Sequence, residues 1–252
     1  MNGYAAFLKK ELTENMKNYR FLILFAVFLI FGLASPFLAK FMPEILSAVA
    51  ADMQMGSAPV ALDAWEQFYK NISGVGFSAF IILFGSCMSS EYSKGTLVLL
   101  VTKGLPRRAV IFAKYTVAAI LMTACYWAGF IATYCYTAYL WPGTMLSHVF
   151  TAAFYLWLIG FLYLSILLLG CVIFKQTFTS ILFTGGIVAV ISLLGIVDPL
   201  ARFNPFLLTS KNVDLISGAA SVSEFLMPTV ISIAITIIGL WFATILFDGK
   251  QL

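Results

Sequence analysis

The sequence contains few charged residues: Asp, Glu, Lys and Arg make up 10% of its 252 residues, whereas hydrophobic residues make up 62%. A soluble domain of this length carries far more charge on its surface, so the composition indicates an integral membrane protein. The 15 basic residues outnumber the 11 acidic ones, but they are spread over short segments and form no basic face. We therefore expect no nucleic-acid partner.

Several motifs that would give the chain its own chemistry are also missing. It has four cysteines without a Cys-x-x-Cys pair and a single histidine, so we expect neither a metal site nor a His-Glu-x-x-His metalloprotease. There is no Gly-x-x-x-x-Gly-Lys-Ser/Thr loop, so we expect no ATP or other cofactor bound by this chain. We also expect no buried Asp, Glu, Lys or Arg in the spans, which argues against an ion-coupled transporter.

Windows free of charged residues predict an all-α integral membrane protein with six transmembrane helices. A helix needs roughly 20 apolar residues to cross the hydrocarbon of a bilayer. The longest window, 115–174, holds two spans because a turn sequence, Trp141-Pro142-Gly143, divides it. We predict a single transmembrane domain, 1–252, with spans at about 21–39, 71–90, 115–140, 149–174, 177–197 and 228–247 and outer loops at 41–70 and 198–227.

The positions of the basic residues predict the orientation. With the N-terminus inside, 11 of the 15 Lys and Arg residues fall in cytoplasmic segments and 4 in outer ones. This asymmetry predicts a multi-pass protein of the cell membrane with both termini in the cytoplasm. Ahead of the first span, Leu8, Leu12, Met16 and Tyr19 recur at helical spacing, which favours an amphipathic helix over 1–20 lying on membrane lipid at the inner interface. The alternative is a solvated tail.

Residues 91–114 are the one sizeable charged connection between two apolar spans, and we call them the hairpin. Gly95 suits the left-handed residue that closes a helix, and Thr96 can cap a new one. The short helix that follows, 97–102, is apolar on nearly every face, so it needs a partner protein or the bilayer interface to cover it. Pro106 suits the first turn of the next helix.

The pattern Glu91-x-x-x-Gly95-Thr96-Leu97-x-Leu99-Leu100-x-Thr102, followed by Arg108 and Lys114, resembles the segment between spans 2 and 3 of ABC-2-type transporter permeases. The sequence Leu-Pro-Arg-Arg at 105–108 departs from the more usual Pro-x-Ser-Arg. The resemblance implies a half-transporter that pairs with a second copy or a close paralogue. It also implies two separate ABC ATPase subunits, which bind ATP and Mg²⁺ and grip the short helix as a coupling helix.

The resemblance also implies roles for individual residues of the hairpin. Leu97, Leu99 and Leu100 would fill a groove of the ATPase, and the charged residues would orient the hairpin at the inner interface. The implied coupling residues are Glu91, Gly95, Thr96, Leu97, Leu99, Leu100, Thr102, Arg107, Arg108 and Lys114.

The cargo and one rival function stay open at the level of the sequence. Spans rich in Phe, Tyr, Met, Ser and Thr suit an amphipathic or hydrophobic cargo, and small permeases of this type resemble exporters of peptide toxins or peptide antibiotics. Efflux of drugs or lipids is the alternative.

The rival function belongs to a different class of protein. Ser78 in Gly76-Phe77-Ser78, together with His148, resembles the catalytic residues of an intramembrane serine hydrolase. A serine that merely packs its helix is the simpler interpretation.

Overall fold

The architecture comes from a computed structural model, which describes residues 3–49, 58–97, 102, 104–144 and 146–250. Every regular element in these ranges is helical. The α-helices are Gly3–Lys17, Arg20–Val49, Ala61–Asn71, Phe77–Phe84, Ser89–Lys94, Arg107–Leu140, Val149–Ile173, Thr177–Leu194, Asp198–Ala201, Leu207–Ser210, Asn212–Ser217 and Leu226–Asp248, with a π-helix at Ile72–Gly76 and a 3₁₀-helix at Val222–Phe225.

Six helical stretches are long and apolar enough to cross a membrane, which confirms the predicted fold class. In chain order they are spans 1 to 6: Arg20–Met42, Ala61–Tyr92, Arg107–Leu140, Val149–Ile173, Thr177–Leu194 and Val222–Asp248. Most residues of spans 3 and 4 are buried, so these spans form the centre of the bundle, whereas few residues of spans 5 and 6 are buried.

Span 2 begins ten residues earlier than the charge-free window predicts. Its first helix, Ala61–Asn71, contains Asp63 and Glu66, but one face of the helix is buried. The buried residues follow helical spacing, because a helix repeats every 3.6 residues. They are Ala61, Ala64, Trp65, Phe68 and Tyr69. An amphipathic first helix therefore extends span 2 into the region predicted as the outer loop.

Spans 1 and 3 cross at two glycines. A Cβ atom built on Gly32 would lie 2.5 Å from the carbonyl oxygen of Gly129, and one built on Gly129 would lie 2.7 Å from that of Phe28. The Thr133 hydroxyl, one turn further along, donates to the Gly32 carbonyl at 2.8 Å. Small residues let membrane helices approach closely where no water-driven hydrophobic force holds them together. The two spans therefore pack backbone against backbone.

The N-terminal helix, Gly3–Lys17, lies against span 3. It buries Phe7, Glu11 and Asn15, which lie on one face, and exposes Leu12 and Met16. An exposed apolar stripe is what a helix on a lipid surface would present. The interfacial position of this helix stays a prediction.

The segment between spans 5 and 6, predicted as an outer loop, packs through short helices on the first helix of span 2 and on span 4. Leu208 and Leu215 are fully buried there, and Phe225 at the start of span 6 stacks on Tyr155 of span 4 with ring centroids 4.9 Å apart. These contacts attach the long connection to the bundle, so it is part of the fold.

Candidate functional site

The hairpin joins spans 2 and 3 and contains the predicted coupling residues. The helix Ser89–Lys94 ends at Gly95, whose φ of +65° places it in the left-handed region that glycine enters without strain. The predicted helix stop is thus confirmed. Thr96, Leu97 and Thr102 are helical, and the helix of span 3 begins after Pro106.

Three leucines were predicted to fill a groove of the ATPase, and the structure describes one of them. Leu97 is 1% exposed and belongs to the apolar core of this chain. Its side chain is therefore not available to a partner in this conformation, because it already packs inside the permease. Leu99 and Leu100 lie outside the described residues. Thr102, at the end of the predicted helix, is exposed.

A cluster of four charged side chains, which we call the charge cluster, lies at the base of the hairpin. It consists of Lys10 and Glu11 from the N-terminal helix, Glu91 from span 2 and Lys114 from span 3. The Lys114 ammonium lies 3.1 Å from Glu11 Oε2 and 3.0 Å from Glu91 Oε2. The Lys10 ammonium lies 3.0 Å from Glu11 Oε1 and 2.7 Å from Glu91 Oε1. Each lysine thus bridges both glutamates.

Three members of the charge cluster are almost completely buried: Glu11 is 5% exposed, Glu91 3% and Lys114 4%. Lys114 also donates a hydrogen bond of 2.9 Å to the carbonyl of Cys87. Taking these charges out of water is costly, and only close pairing with hydrogen bonding offsets that cost. The ring of Phe7 adds a cation–π contact with each ammonium, 5.3 Å from Lys10 and 5.9 Å from Lys114.

Lys10 forms the half-exposed edge of the charge cluster. Its partial burial disfavours the charged form, but hydrogen bonds to Glu14 and Glu91 and the charge of Glu11 outweigh that effect, so the pKa of Lys10 lies above its ordinary value. The ammonium therefore stays charged at physiological pH. Carboxylate oxygens of Glu11, Glu14 and Glu91 lie within 4.8 Å of one another, and Lys10 bonds to all three. The Lys10 ammonium thus lies where a metal ion bound by these three carboxylates would lie.

Two arginines attach the start of span 3 to the end of the chain. Arg107 Nη1 donates to the carbonyls of Phe247 and Asp248 at 3.0 Å, so a cation lies at the C-terminal end of the last helix, where the helix dipole favours positive charge. Arg108 Nε lies 2.8 Å from Asp248 Oδ2 on the surface. Lys250 in turn donates to the carbonyls that end span 4, among them that of Ile173 at 3.0 Å.

Sequence reasoning identified Glu91 and Lys114 but missed Lys10 and Glu11. It placed Glu91 and Lys114 just outside the spans predicted at 71–90 and 115–140, and it expected no buried charge within those spans. Glu91 and Lys114 lie within the helices of spans 2 and 3 and are buried, because the N-terminal helix brings their partners to them. One signal was available: Glu11 lies one helical turn from Phe7 on the face that the packing of the helix buries.

A second candidate region is a cavity of about 850 Å³ in the outer half of the predicted topology. Span 2 lines it where the π-helix Ile72–Gly76 interrupts the regular helix, and span 4, span 5 and the segment 206–214 complete the walls. Aromatic rings, hydroxyls and charges share the lining, for example Tyr163, Ser73 and Glu66. Its size is that of sites that hold small organic ligands.

The residues of the rival hydrolase do not form a catalytic pair in this structure. Ser78 Oγ donates a hydrogen bond of 2.6 Å to the carbonyl of Gly74, one turn earlier in its own helix. His148 precedes the first residue of span 4 and lines a different cavity together with Trp65 and Tyr134. A serine nucleophile needs a base within hydrogen-bonding reach, so this arrangement does not support a hydrolase.

A comparison with protein families agrees with the resemblance noted from the hairpin. A family model described as "ABC-2 family transporter protein" matches residues 5–248, which is nearly the whole chain. No curated protein matches the sequence.

Proposed function

The chain belongs to the ABC-2 transporter family and is a multi-pass membrane protein, and from that premise we propose that it is the permease subunit of an ATP-driven exporter. The single observation that carries the proposal is the family match over residues 5–248, which includes the whole hairpin. In this proposal, two ABC ATPase subunits bind ATP and Mg²⁺ and grip the hairpin through Leu99 and Leu100. The charge cluster and Arg107 hold the two limbs of the hairpin in place.

Copurification tests this function directly. The tagged chain, extracted in mild detergent from its native membrane, is expected to retain an ABC ATPase that hydrolyses ATP and is inhibited by vanadate. Absence of any ATPase from the purified material, with the permease folded, would contradict the proposal.

The proposal places both termini and the hairpin in the cytoplasm. A maleimide reagent that cannot cross membranes is expected to label Ser217→Cys in intact cells and Lys103→Cys only after permeabilisation, because basic residues favour the inner side. Ser217 is exposed on the outer segment. The background needs its four native cysteines replaced, since Cys135 is exposed. External labelling at position 103 would overturn this topology.

We further propose that two copies of the chain, or this chain and a close paralogue, pair to give twelve spans. Few residues of span 6 are buried, and its apolar residues Val230, Ile237 and Trp241 are exposed. An uncovered apolar helix offers a surface on which another membrane helix can pack. Mass measurement in nanodiscs is expected to find two copies of the permease, and a monomer active in transport would refute the pairing.

The cavity between spans 2 and 5 is our candidate for part of the cargo pathway. Aromatic rings beside hydroxyls suit an amphipathic cargo, and we favour a peptide toxin or peptide antibiotic over a drug or a lipid. A volume of about 850 Å³ holds only a segment of such a peptide. The cargo would therefore pass through the cavity in an extended form.

Filling the cavity tests this pathway. Gly185→Phe projects a ring into the cavity, and because nothing lies within 4 Å of the new Cβ atom, the variant should fold normally. We expect cargo-stimulated ATP hydrolysis, assayed with a panel of amphipathic peptides, to fall on the order of tenfold.

Gly186→Phe is the matched control for this experiment. Gly186 is the next residue on the same exposed helix and has the same free space, but it does not line the cavity. This variant should respond to peptides as the unmodified chain does. Equal responses from both variants would remove the cavity from the pathway.

A further inference from the structure

The segment between spans 5 and 6 forms a second cavity with the start of span 6, apart from the cavity that we place in the cargo pathway. Its volume is about 650 Å³. The charged residues in its lining are Arg202, Lys211 and Glu224. Two positive charges and one negative charge give this lining a net charge of +1. We call it the basic cavity.

The position of these two cations departs from the distribution of basic residues along the chain. Only 4 of the 15 Lys and Arg residues fall on the predicted outer side, as the positive-inside rule leads one to expect. Arg202 and Lys211 are two of those four, and both line the basic cavity. Snorkelling accounts for a single basic residue near a helix end, but it does not bring two of them to one cavity. Their convergence favours an anion as the ligand.

The partners of the two cations leave positive charge available to such a ligand. The Lys211 ammonium lies 4.0 Å from Glu224 Oε2, a long distance for an ion pair, and both side chains are exposed. Glu224 Oε1 accepts a hydrogen bond of 3.1 Å from the Ser221 amide, so Glu224 is fixed at the start of span 6. Arg202 is exposed and, within the part of the chain that the structure describes, forms neither an ion pair nor a hydrogen bond. Its planar guanidinium suits the oxygens of a phosphate.

Apolar side chains make the basic cavity amphipathic. Phe203 is 50% exposed and Met227 58%, and both line the cavity beside the cations. The cavity lies between the end of span 5 at Leu194 and the first turns of span 6. Chain that leaves one span and enters the next lies at the level where lipid headgroups meet hydrocarbon. A ligand with a charged head and an apolar tail therefore fits both the lining and the position.

From these observations, and resting on the orientation of the proposed function, we propose that the basic cavity binds an outer-leaflet phospholipid whose phosphodiester headgroup has one negative charge, such as phosphatidylglycerol. Arg202 and Lys211 bind the phosphate oxygens, and the acyl chains leave over Phe203 and Met227. The net charge of the lining balances one negative charge. A neutral headgroup, such as that of phosphatidylcholine, and the more highly charged phosphomonoester of phosphatidic acid therefore fit less well. Glu224 is thus the residue that sets this preference.

Lipid titration followed by native mass spectrometry tests the proposal on the permease alone. The delipidated protein in detergent is titrated with phosphatidylglycerol and, separately, with phosphatidylcholine. We expect phosphatidylglycerol to bind more tightly by on the order of tenfold, since each basic residue near an anionic lipid contributes roughly a factor of five. Arg202→Gln should lower this preference by about fivefold, and Arg202→Gln with Lys211→Gln should abolish it. Both residues are exposed, so the variants should fold, and thermal unfolding checks this.

Lys70→Gln is the matched control for Arg202→Gln. Lys70 is exposed and lies on the same predicted side, but it lines the other cavity. Its replacement removes the same charge and should leave the preference for phosphatidylglycerol unchanged. An equal loss in Lys70→Gln would mean that the lipid responds to the overall charge of this side, and the basic cavity would not be a site.

Glu224→Gln is a variant in which we expect a gain. Glutamine keeps an oxygen for the Ser221 amide, while the net charge of the lining rises from +1 to +2. Phosphatidic acid at mildly alkaline pH carries close to two negative charges and should then bind several-fold more tightly relative to phosphatidylglycerol. A merely structural role of Glu224 would produce no such gain. An unchanged ratio of the two affinities would therefore contradict the assigned charge balance.

The remaining outcomes separate this inference from the proposed function. Equal affinity of the unmodified chain for phosphatidylglycerol and phosphatidylcholine would refute the site, and so would a preference that survives the double replacement. Inorganic phosphate should compete poorly because it has no acyl chain, and strong competition would show a site for a free anion instead of a lipid. Because these measurements need no ATPase, failure to find an ATPase leaves the lipid result intact. Labelling at position 103 tests the leaflet independently.

Discussion

Replacing Leu99 by glutamate is expected to weaken binding of the ATPase at least tenfold while leaving insertion and folding of the permease intact. Burial of a leucine side chain contributes about 1.5 to 3 kcal/mol, and a carboxylate forced into the same apolar groove adds a desolvation cost. A loss of about 1.4 kcal/mol already corresponds to tenfold in affinity. Retention of the ATPase by the tagged permease, measured over a range of ATPase concentrations, gives the affinity directly.

Leu99→Met is the matched control, because methionine keeps the volume and the apolar character of the side chain and should bind the ATPase nearly as well. Leu97→Glu would be a poor choice, since Leu97 is buried inside the permease and its replacement would damage the fold. If Leu99→Glu binds and couples normally, the short helix of the hairpin lies on the membrane, and the ATPase must dock on another surface.

The six spans could be predicted from the sequence because membrane crossing depends on one local property, a long apolar stretch. The turn at Gly95 was also local, since glycine enters the left-handed region without strain. The start of span 2 was not found, because Lys70, Glu66 and Asp63 interrupt the sequence ahead of residue 71 and the nearest of them, Lys70, was treated as the boundary. The helical spacing of Trp65, Phe68 and Tyr69 was the better signal, since an amphipathic helix can continue a span beyond the hydrocarbon.

The charge cluster could be predicted only in part. Glu91 and Lys114 were recognisable within the hairpin pattern, but their partner Glu11 lies 103 positions from Lys114 in the sequence. The pairing of Glu11 with Lys114 depends on how the N-terminal helix packs against span 3. The periodicity of a single helix carries no information on that packing. The same limit applies to the cavity, whose walls come from spans 2, 4 and 5 and from the segment before span 6.

Replacing Lys114 by methionine is expected to have the largest effect on stability. Lys114 is buried, bridges Glu11 and Glu91 and bonds to the carbonyl of Cys87. Its removal leaves two buried carboxylates with Lys10 as their remaining cation, and breaking a buried pair in this way costs about 3 to 5 kcal/mol. Thermal unfolding of the purified protein in nanodiscs should show a markedly lower midpoint, and the yield of folded protein should fall.

Arg108→Met is the control that separates burial from charge. Arg108 also pairs with a carboxylate, that of Asp248 at 2.8 Å, but its side chain is 68% exposed. An exposed pair contributes only about 0 to 1 kcal/mol, so this variant should unfold close to the unmodified protein. A second variant, Lys114→Met with Glu11→Gln, should recover part of the loss because it removes one of the carboxylates left unpaired. If Lys114→Met is no less stable than Arg108→Met, the charge cluster is solvated in the membrane and does not hold the N-terminal helix to the hairpin.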